Sequence, residues 1–473
     1  MNDFMKEQGK PRKAIVIGNS MAGKLAARVL SDYFDTVTII EQDPQPEGPY
    51  PRKGTPQSYH THGLLKSGEN TLDKFFPGIM QELEGHGGER LDFIRDISWV
   101  YQNFHFVRFN SGFEVVSQSR PLLEWRVHQR LLQRPNIEFA YSHRVVQYIS
   151  NPGENRFTGV ETENLVTRQS ERLEADLIVD AAGSATKTPD QLLKHGFDSL
   201  SQSEVHINLA YATRMYERDP SVSHDYKSVI VFPNPPEVSK GGLTFPIEGD
   251  RWSVTLVGYG DGNHPPRDDQ GFLNFAKSLT HPHLYDHIKS LKPAGDIHVY
   301  RFPSQVRRHY EKLDRFPSGL VVMGDAFCRF NPVFGQGVSI ACLEALELQK
   351  VLQEVRAGKI KAEGIPTAFH KRLSALVEPT WMTATSDAFL YPKTKGKKPA
   401  GLGFMQWYVR RLYRLSEYDQ DVYGKFIRIL HMVEKPTELF KPAMIYKVMR
   451  AKMPKPDKRA PGSPVNRDRE QTL

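Results

Sequence analysis

The sequence predicts an α/β fold, and three stretches carry that prediction. AIVIG, residues 14–18, is a short β-branched run ending in glycine, which reads as a buried strand entering a tight turn. AGKLAARVLSDYF then places Leu25, Val29 and Leu30 at helical spacing, and TVTIIEQD returns as a second strand with Glu41 at its tip. Far downstream, GLVVMGDAFCRFNPVFGQGVSIACLEALELQKVL repeats the pattern. It reads as a strand from Leu320 to Met323, the pair Gly324-Asp325, a loop with Pro332, and a long helix opened by Gly335-Gln336-Gly337.

The first turn satisfies two phosphate-binding spacings at once. Gly18, Ser20 and Gly23 follow G-x-G-x-x-G with serine in the middle place, while Gly18, Gly23 and Lys24 follow G-x-x-x-x-G-K. Either loop would use the positive end of the following helix. A P-loop needs Ser or Thr after the lysine to hold Mg²⁺, and Leu25 stands there instead. A dinucleotide fold needs an acid at the end of its second strand to bind a ribose, and Glu41 supplies one. The dinucleotide cradle is therefore favoured, with Lys24 expected as a solvated surface charge. An α/β turn without a ligand stays open on this motif alone. The downstream segment also has two readings: Asp325 and the glycines could hold a ribitol hydroxyl and a ring edge or phosphate, or merely cap and turn the chain.

At 473 residues the chain is long enough for two or more domains. No apolar run reaches the roughly 18 residues of a membrane-spanning helix, and the N-terminal MNDFMKEQGKPRK has no apolar h-region, so a cytoplasmic protein is expected. Cys328 and Cys342 are the only cysteines, which excludes a disulfide scaffold and a four-cysteine metal site. His60 and His62 form an H-x-H without a nearby partner acid, read here as polar packing rather than metal or acid–base chemistry. No metal site is expected, and no catalytic residue is singled out.

Three motifs follow one another in a specific order. They are Gly18-x-Ser20-x-x-Gly23, then ADLIVDAAGSAT with Asp176, Asp180 and Gly183, then Gly324-Asp325-Ala326 through Pro332, Gly335 and Gly337. In this order and spacing the chain resembles the FAD-dependent monooxygenases of the para-hydroxybenzoate hydroxylase and squalene epoxidase type. The likeness is greatest to a bacterial branch with polyene and polyether epoxidases, in which serine is common in the first motif. The resemblance implies a three-layer, Rossmann-like FAD/NAD(P)-binding domain built from residues 10–59, 121–195 and 300–370. It further implies a β-sheet-rich substrate region from 60–120 and 196–299 and a helical extension over 371–473.

Carried over residue by residue, Gly18, Ser20 and Gly23 would cradle the FAD pyrophosphate and Glu41 the adenosine ribose. Gly324 and Asp325 would hold the ribitol or pyrophosphate, and Pro332, Gly335, Gln336, Gly337 and Val338 would line the isoalloxazine. Arg120 would reach the flavin side, with a surface charge starting a helix as the competing reading; Arg126 and Arg130 are left as solvated. Arg52, and Val145 on a strand against the adenine, also match. The implied reaction is hydroxylation or epoxidation of a hydrophobic small molecule through a flavin C4a-hydroperoxide. NAD(P)H would be the reductant, bound transiently or acting through a separate flavin reductase, because VGYGDG (257–262) has no helix behind it. EVHINLAYATRMY and LTFPIEGDRWSVTLVGYG, the latter a hairpin through Glu248-Gly249-Asp250, would wall the substrate. The W-x-W-x-I-P segment of related flavin halogenases is missing: Trp99, Trp125 and Trp252 stand alone. Reduction of prenyl or other unsaturated chains, as in geranylgeranyl reductases, is the first alternative.

Charge sets the last hundred residues apart. From Lys371 to Leu473 there are 21 Lys/Arg and 10 Asp/Glu, a net of +11 within a whole-chain charge of +8, which leaves −3 for the rest. LYPKTKGKKPAGLG reads as a connector, FMQWYVRRLYRL as a basic amphipathic helix, FIRILHMV and LFKPAMIYKVM as short helices, and the tail after Met453 as disordered. The apolar stripe of Met405, Tyr408, Leu412 and Leu415 is expected to pack on the main body, with contact to an anionic membrane surface as the competing reading. A non-enzymatic basic binding protein on an inert flavin fold is the second alternative, and the acidic main body argues against nucleic acid.

Overall fold

The computed structural model describes residues 11–151, 153–219, 221 and 224–453. Five strands form one parallel sheet in the order Leu320–Val322, Leu177–Asp180, Lys13–Ile17, Thr36–Glu41 and Ile137–Tyr141. These strands are apolar along most of their length because both faces are covered. Helices Met21–Leu30 and Gly337–Arg356 pack together over one face, and Ile365–Ala388 lies on the second of them and on Leu320–Val322. An antiparallel meander, His143–Ser150, Phe157–Asn164 and Ser170–Glu174, packs against Leu177–Asp180 and Thr36–Glu41. Helices, parallel sheet and meander are the three expected layers.

A second, mixed sheet runs in the order Cys328–Arg329, His298–Arg308, Gln202–Glu217, Arg251–Tyr259, Lys240–Ile247, Ser228–Val231, Ile97–Tyr101 and Phe104–His105. Val205, Ile207 and Leu209 are buried at alternate places along its longest strand. The expected hairpin turns through Glu248, Gly249 and Asp250, between the paired Ile247 and Arg251, and Gly249 and Asp250 have φ values of +74° and +49°. Three segments run through the boundaries drawn from sequence: helix Arg120–Leu132 through 120/121, strand His298–Arg308 through 299/300, and helix Ile365–Ala388 through 370/371. The connector 390–403 also contributes a strand, Lys395–Gly396, paired to Val205 and His206.

The C-terminal region folds as helices Leu402–Leu415, Gln420–Leu430 and Pro442–Arg450. Tyr408, Leu412 and Leu415 bury against Val422, Met444 and Val448, while Tyr413, Tyr423 and Ile427 bury against Trp99, Phe104 and Phe106 of the main body. The apolar stripe therefore packs, but on the neighbouring C-terminal helices rather than on the main body as expected, and Met405 stays exposed. The expected disorder after Met453 lies outside the described residues.

Candidate functional site

Strand Lys13–Ile17 ends at Gly18, whose φ of +99° and whose place 2.6 Å, for an added Cβ, from Ala181 O admit glycine alone. Gly23 presses on the same turn: a Cβ there would lie 1.8 Å from Gly18 O. Helix Met21–Leu30 begins at Ser20 without a side-chain cap, so its first N–H groups point outward. The Asn19 side chain beside them is fully buried, and among the described residues neither of its polar atoms has a partner.

Ser20 Oγ lies 2.9 Å from Arg120 Nη2 and 3.1 Å from Glu124 Oε1. Arg120 is no surface charge: its side chain is 10% exposed and its Nε donates to Glu124 at 2.8 Å. Arg52 reaches the same carboxylate at 3.1 Å and Lys24 lies 3.6 Å from it. Burial alone would raise the Glu124 pKa, but Lys24, Arg120 and Arg52 together hold it well below the usual carboxylate range.

Lys24 corrects the sequence reading. It is buried, its Nζ donates to Asn19 O, and burial lowers its pKa to about 8 against the pull of Glu124. A side chain in the first turn of a helix leans back toward the N-terminus, and here that direction leads to Asn19 O and Glu124, with Arg52 close by. Lys24, Tyr50, Arg52, Glu124, Trp125 and His128 line a pocket enclosing about 300 Å³, part of it open to solvent. Arg126 and Arg130, expected to be solvated, both bind Glu82, because successive turns of helix Arg120–Leu132 bring them over it.

At the tip of its strand, Glu41 accepts the Asn19 and Asp43 N–H groups at 2.9 Å each and Arg52 Nη1 at 3.3 Å. Val145 lies on the meander strand that follows Tyr141, the register partner of Glu41, and Ser142 N–H donates to Asp43 O at 3.1 Å. That strand thus starts beside the acid cluster.

The downstream motif closes on the first. Gly324 has φ +65°, and a Cβ there would meet Ala22 Cβ at 2.9 Å, so this loop abuts the first turn of the cradle helix. Its N–H donates to Glu344 Oε2 at 2.6 Å, and burial raises the Glu344 pKa to about 8. Asp325 is exposed, yet crowding protein pushes its pKa up against the pull of Arg120, Arg329 and Arg308. Exposure combined with desolvation marks the wall of a cleft. Pro332 is exposed at the start of the turn Pro332–Phe334, Gly335 faces Gly63 with φ +65°, and helix Gly337–Arg356 begins at a buried, uncapped Gln336 with Val338 buried behind it. An added Cβ at Gly63, Gly183 or Gly337 meets no atom within 4 Å, so all three border open space.

His62 also faces the cleft: burial lowers its pKa to about 3, with Arg120 next in effect, and its Nδ1 pairs with His60 O at 2.8 Å. His60 packs on Tyr211 and Tyr300 and pairs with Thr213 Oγ1 at 2.7 Å. Among the described residues no group of three or more His, Cys, Asp or Glu could hold a metal ion, and Cys328 and Cys342 are both buried thiols. Sequence reasoning missed Glu124, Asp43 and Glu344. The Arg120–Glu124 spacing of four on a helix was a usable signal, whereas Asp43 and Glu344 become visible only through what folds beside them.

The arrangement fits a dinucleotide with a flavin. Two helix N-termini, one at Ser20 and one at Gln336, flank a loop that holds an accessible carboxylate, and glycine backbone lines the gap. A carboxylate has about four lone-pair sites, so Glu41 can accept from a ribose beside its three protein donors.

The sequence matches no family model. Among solved structures, flavin-dependent brominase Bmp2 aligns with TM-score 0.64 at 15% identity, covering 92% of this chain and 96% of that one. The probable FAD-dependent monooxygenase pqsL of Pseudomonas aeruginosa aligns with TM-score 0.58 at 14% identity, covering 88% and 99%. The p-nitrophenol 4-monooxygenase PnpA of Pseudomonas putida DLL-E4 does so with TM-score 0.58 at 15% identity, covering 93% and 98%. These likenesses establish the fold. In sequence the chain is 30% identical over 418 residues to Protein Rv3254 of Mycobacterium tuberculosis (strain ATCC 25618 / H37Rv), spanning 84% of this chain and 86% of that protein. The chain belongs to the family of Protein Rv3254.

Proposed function

We propose that the chain is an FAD-dependent monooxygenase that hydroxylates or epoxidises a hydrophobic small molecule, with NAD(P)H as the ultimate reductant, used directly or through a separate flavin reductase. The observation that carries this reading is the pair of uncapped helix N-termini, at Ser20 and Gln336, flanking Asp325, with Arg120 bonded to Ser20 and near enough to Asp325 to act on its charge. Bound there, FAD would supply the electron and oxygen transfer that no side chain of the protein can perform.

The protein's own residues bind, orient and exclude water. N–H groups after Ser20 would hold the pyrophosphate, Glu41 the adenosine ribose, and Asp325 the ribitol, with Val145 toward the adenine. Gly335, Gln336, Gly337 and Val338 would offer backbone donors to the electron-rich ring edge, with Pro332 closing one side. Arg120, fixed by Glu124 and Ser20, is placed to offset negative charge near the cofactor.

Tyr211 and Tyr300 stack with centroids 6.1 Å apart and His60 beside them, which gives an aromatic wall suited to an aromatic or unsaturated substrate. Tyr300 is close enough to Asp325 to feel its charge, so this wall stands next to the flavin loop. The buried Tyr211 hydroxyl has no partner among the described residues and suits a polar group on the substrate. Comparison structures include halogenases, but the missing W-x-W-x-I-P segment supports oxygenation of the substrate over halide oxidation.

The test is the visible spectrum of the protein with FAD, followed by turnover with NAD(P)H under ¹⁸O₂ and a panel of alkenes and aromatics. Flavin binding with one ¹⁸O atom incorporated per product is expected. Saturation of an alkene without oxygen incorporation would replace oxygenation with reduction, and an unperturbed FAD spectrum would overturn the reading altogether.

A further inference from the structure

The C-terminal helices bury one apolar stripe and leave a second one out. Phe404 and Trp407, on helix Leu402–Leu415, stack with centroids 5.6 Å apart and are 61% and 38% exposed. Phe440, also exposed, stacks at 5.2 Å on Tyr408, whose ring lies 6.2 Å from Phe404. The Arg411 guanidinium sits 4.7 Å over Trp407 and donates to Ala451 O at 2.7 Å, at the end of helix Pro442–Arg450, which exposes Ile445, Tyr446 and Met449. These contacts join the two helices, so both sets of exposed apolar side chains stand on neighbouring elements. An apolar patch of this extent marks an interaction site.

Charge identifies the occupant. Lys441, Arg450 and Lys452 are exposed on or next to helix Pro442–Arg450, and Lys397, Lys398 and Arg410 on or before helix Leu402–Leu415. The carboxylates nearby are largely engaged: Glu438 pairs with Lys425 and Lys441, and Asp419 with Lys447. Residues 371–473 carry +11 against −3 for the rest. A second copy docking through the same face would bring the same excess of positive charge and be repelled, whereas an anionic lipid layer offers both an apolar interior for the aromatics and phosphates for the cations.

We propose that this face docks on an anionic lipid surface, with Phe404, Trp407, Phe440, Ile445 and Met449 entering the boundary between headgroups and acyl chains. Docking is peripheral: no helix among the described residues is long and apolar enough to cross a membrane. The inference goes beyond the oxygenase reading and stands without it.

The full chain should co-sediment with vesicles of phosphatidylcholine containing about one-third phosphatidylglycerol, less so with phosphatidylcholine alone, and less as salt rises. The double variant Phe404→Ser/Trp407→Ser should partition at least about tenfold more weakly while keeping its circular dichroism and melting temperature, since both side chains are exposed. The charge variant Lys441→Glu/Arg450→Glu should bind more weakly and with a smaller salt dependence. Wild-type protein left in the supernatant with phosphatidylglycerol vesicles would overturn the proposal, as would equal binding by the aromatic variant. A concentration-dependent dimer that the aromatic variant abolishes, without vesicle binding, would assign the face to a second copy and also overturn it.

Discussion

Glu124→Gln tests the charged cluster beneath the cradle most directly. The Glu124 carboxylate is 7% exposed and is shared by Lys24, Arg52 and Arg120, whose side chains are 2%, 12% and 10% exposed. Glutamine keeps an acceptor for Ser20 and Arg120, but it turns N–H donors toward Arg52 Nη2, 3.1 Å away, and leaves three cations with less compensation. Breaking a buried ion pair by removing one partner costs about 3–5 kcal/mol. The lower end is expected here, about 3 kcal/mol, because Glu41 and Asp43 still face Arg52 at 3.3 Å. Urea unfolding of the single variants and of Lys24→Met/Glu124→Gln would measure it, read as a shift in midpoint at constant slope. The double variant should recover much of the loss, since it removes the most buried cation together with the anion, giving a coupling above about 1 kcal/mol. A loss under about 1 kcal/mol for Glu124→Gln, the size of a surface ion pair, or strict additivity with Lys24→Met, would refute the argument.

Three further outcomes follow from the same geometry. Gly18→Ala puts a Cβ 2.6 Å from Ala181 O at a φ of +99°, so the purified variant should retain much less flavin than wild type; full occupancy would mean the cradle is misplaced. For Lys24 the folded pKa of about 8 lies below the ordinary 10.5, so between these values the unfolded chain holds a proton the folded chain has released, and stability rises with pH. Wild type should gain stability relative to Lys24→Met across that window, and parallel curves would count against the assignment. For Glu344 the sign reverses: a folded pKa of about 8 above the ordinary 4.5 means stability falls as pH rises between them. Glu344→Gln should flatten that fall at little cost, whereas Glu344→Ala, which leaves the Gly324 N–H without its acceptor, should cost about 1–3 kcal/mol by urea unfolding.

Much of the parallel-sheet half was legible along the chain because its signals are local. Gly18, Gly23 and Glu41 carry strand–turn–helix–strand geometry in their spacing, and Gly335 to Val338 announce a helix start. The packed stripe of Tyr408, Leu412 and Leu415 was readable for the same reason: residues three and four apart share a helix face whatever lies opposite. Lys24 was misread by that logic. One step into a helix, a lysine is ordinarily solvated, and nothing nearby in sequence shows that Glu124 and Arg52 will fold beside it. Arg126 and Arg130 failed likewise, through a carboxylate more than forty residues upstream.

The sequence by itself determined the α/β class, the three motifs and their order, the hairpin at Gly249-Asp250 and the charge asymmetry of the last hundred residues. Each rests on backbone preferences or on composition, which the chain carries before it folds. Only the tertiary structure decided that Glu124 gathers Lys24, Arg52 and Arg120, that Gly324 closes on Ala22, and that Phe404 and Trp407 stay outside while their helix buries its other face. Those outcomes depend on which distant surfaces meet, and a buried charge or an exposed ring is defined by its neighbours in space.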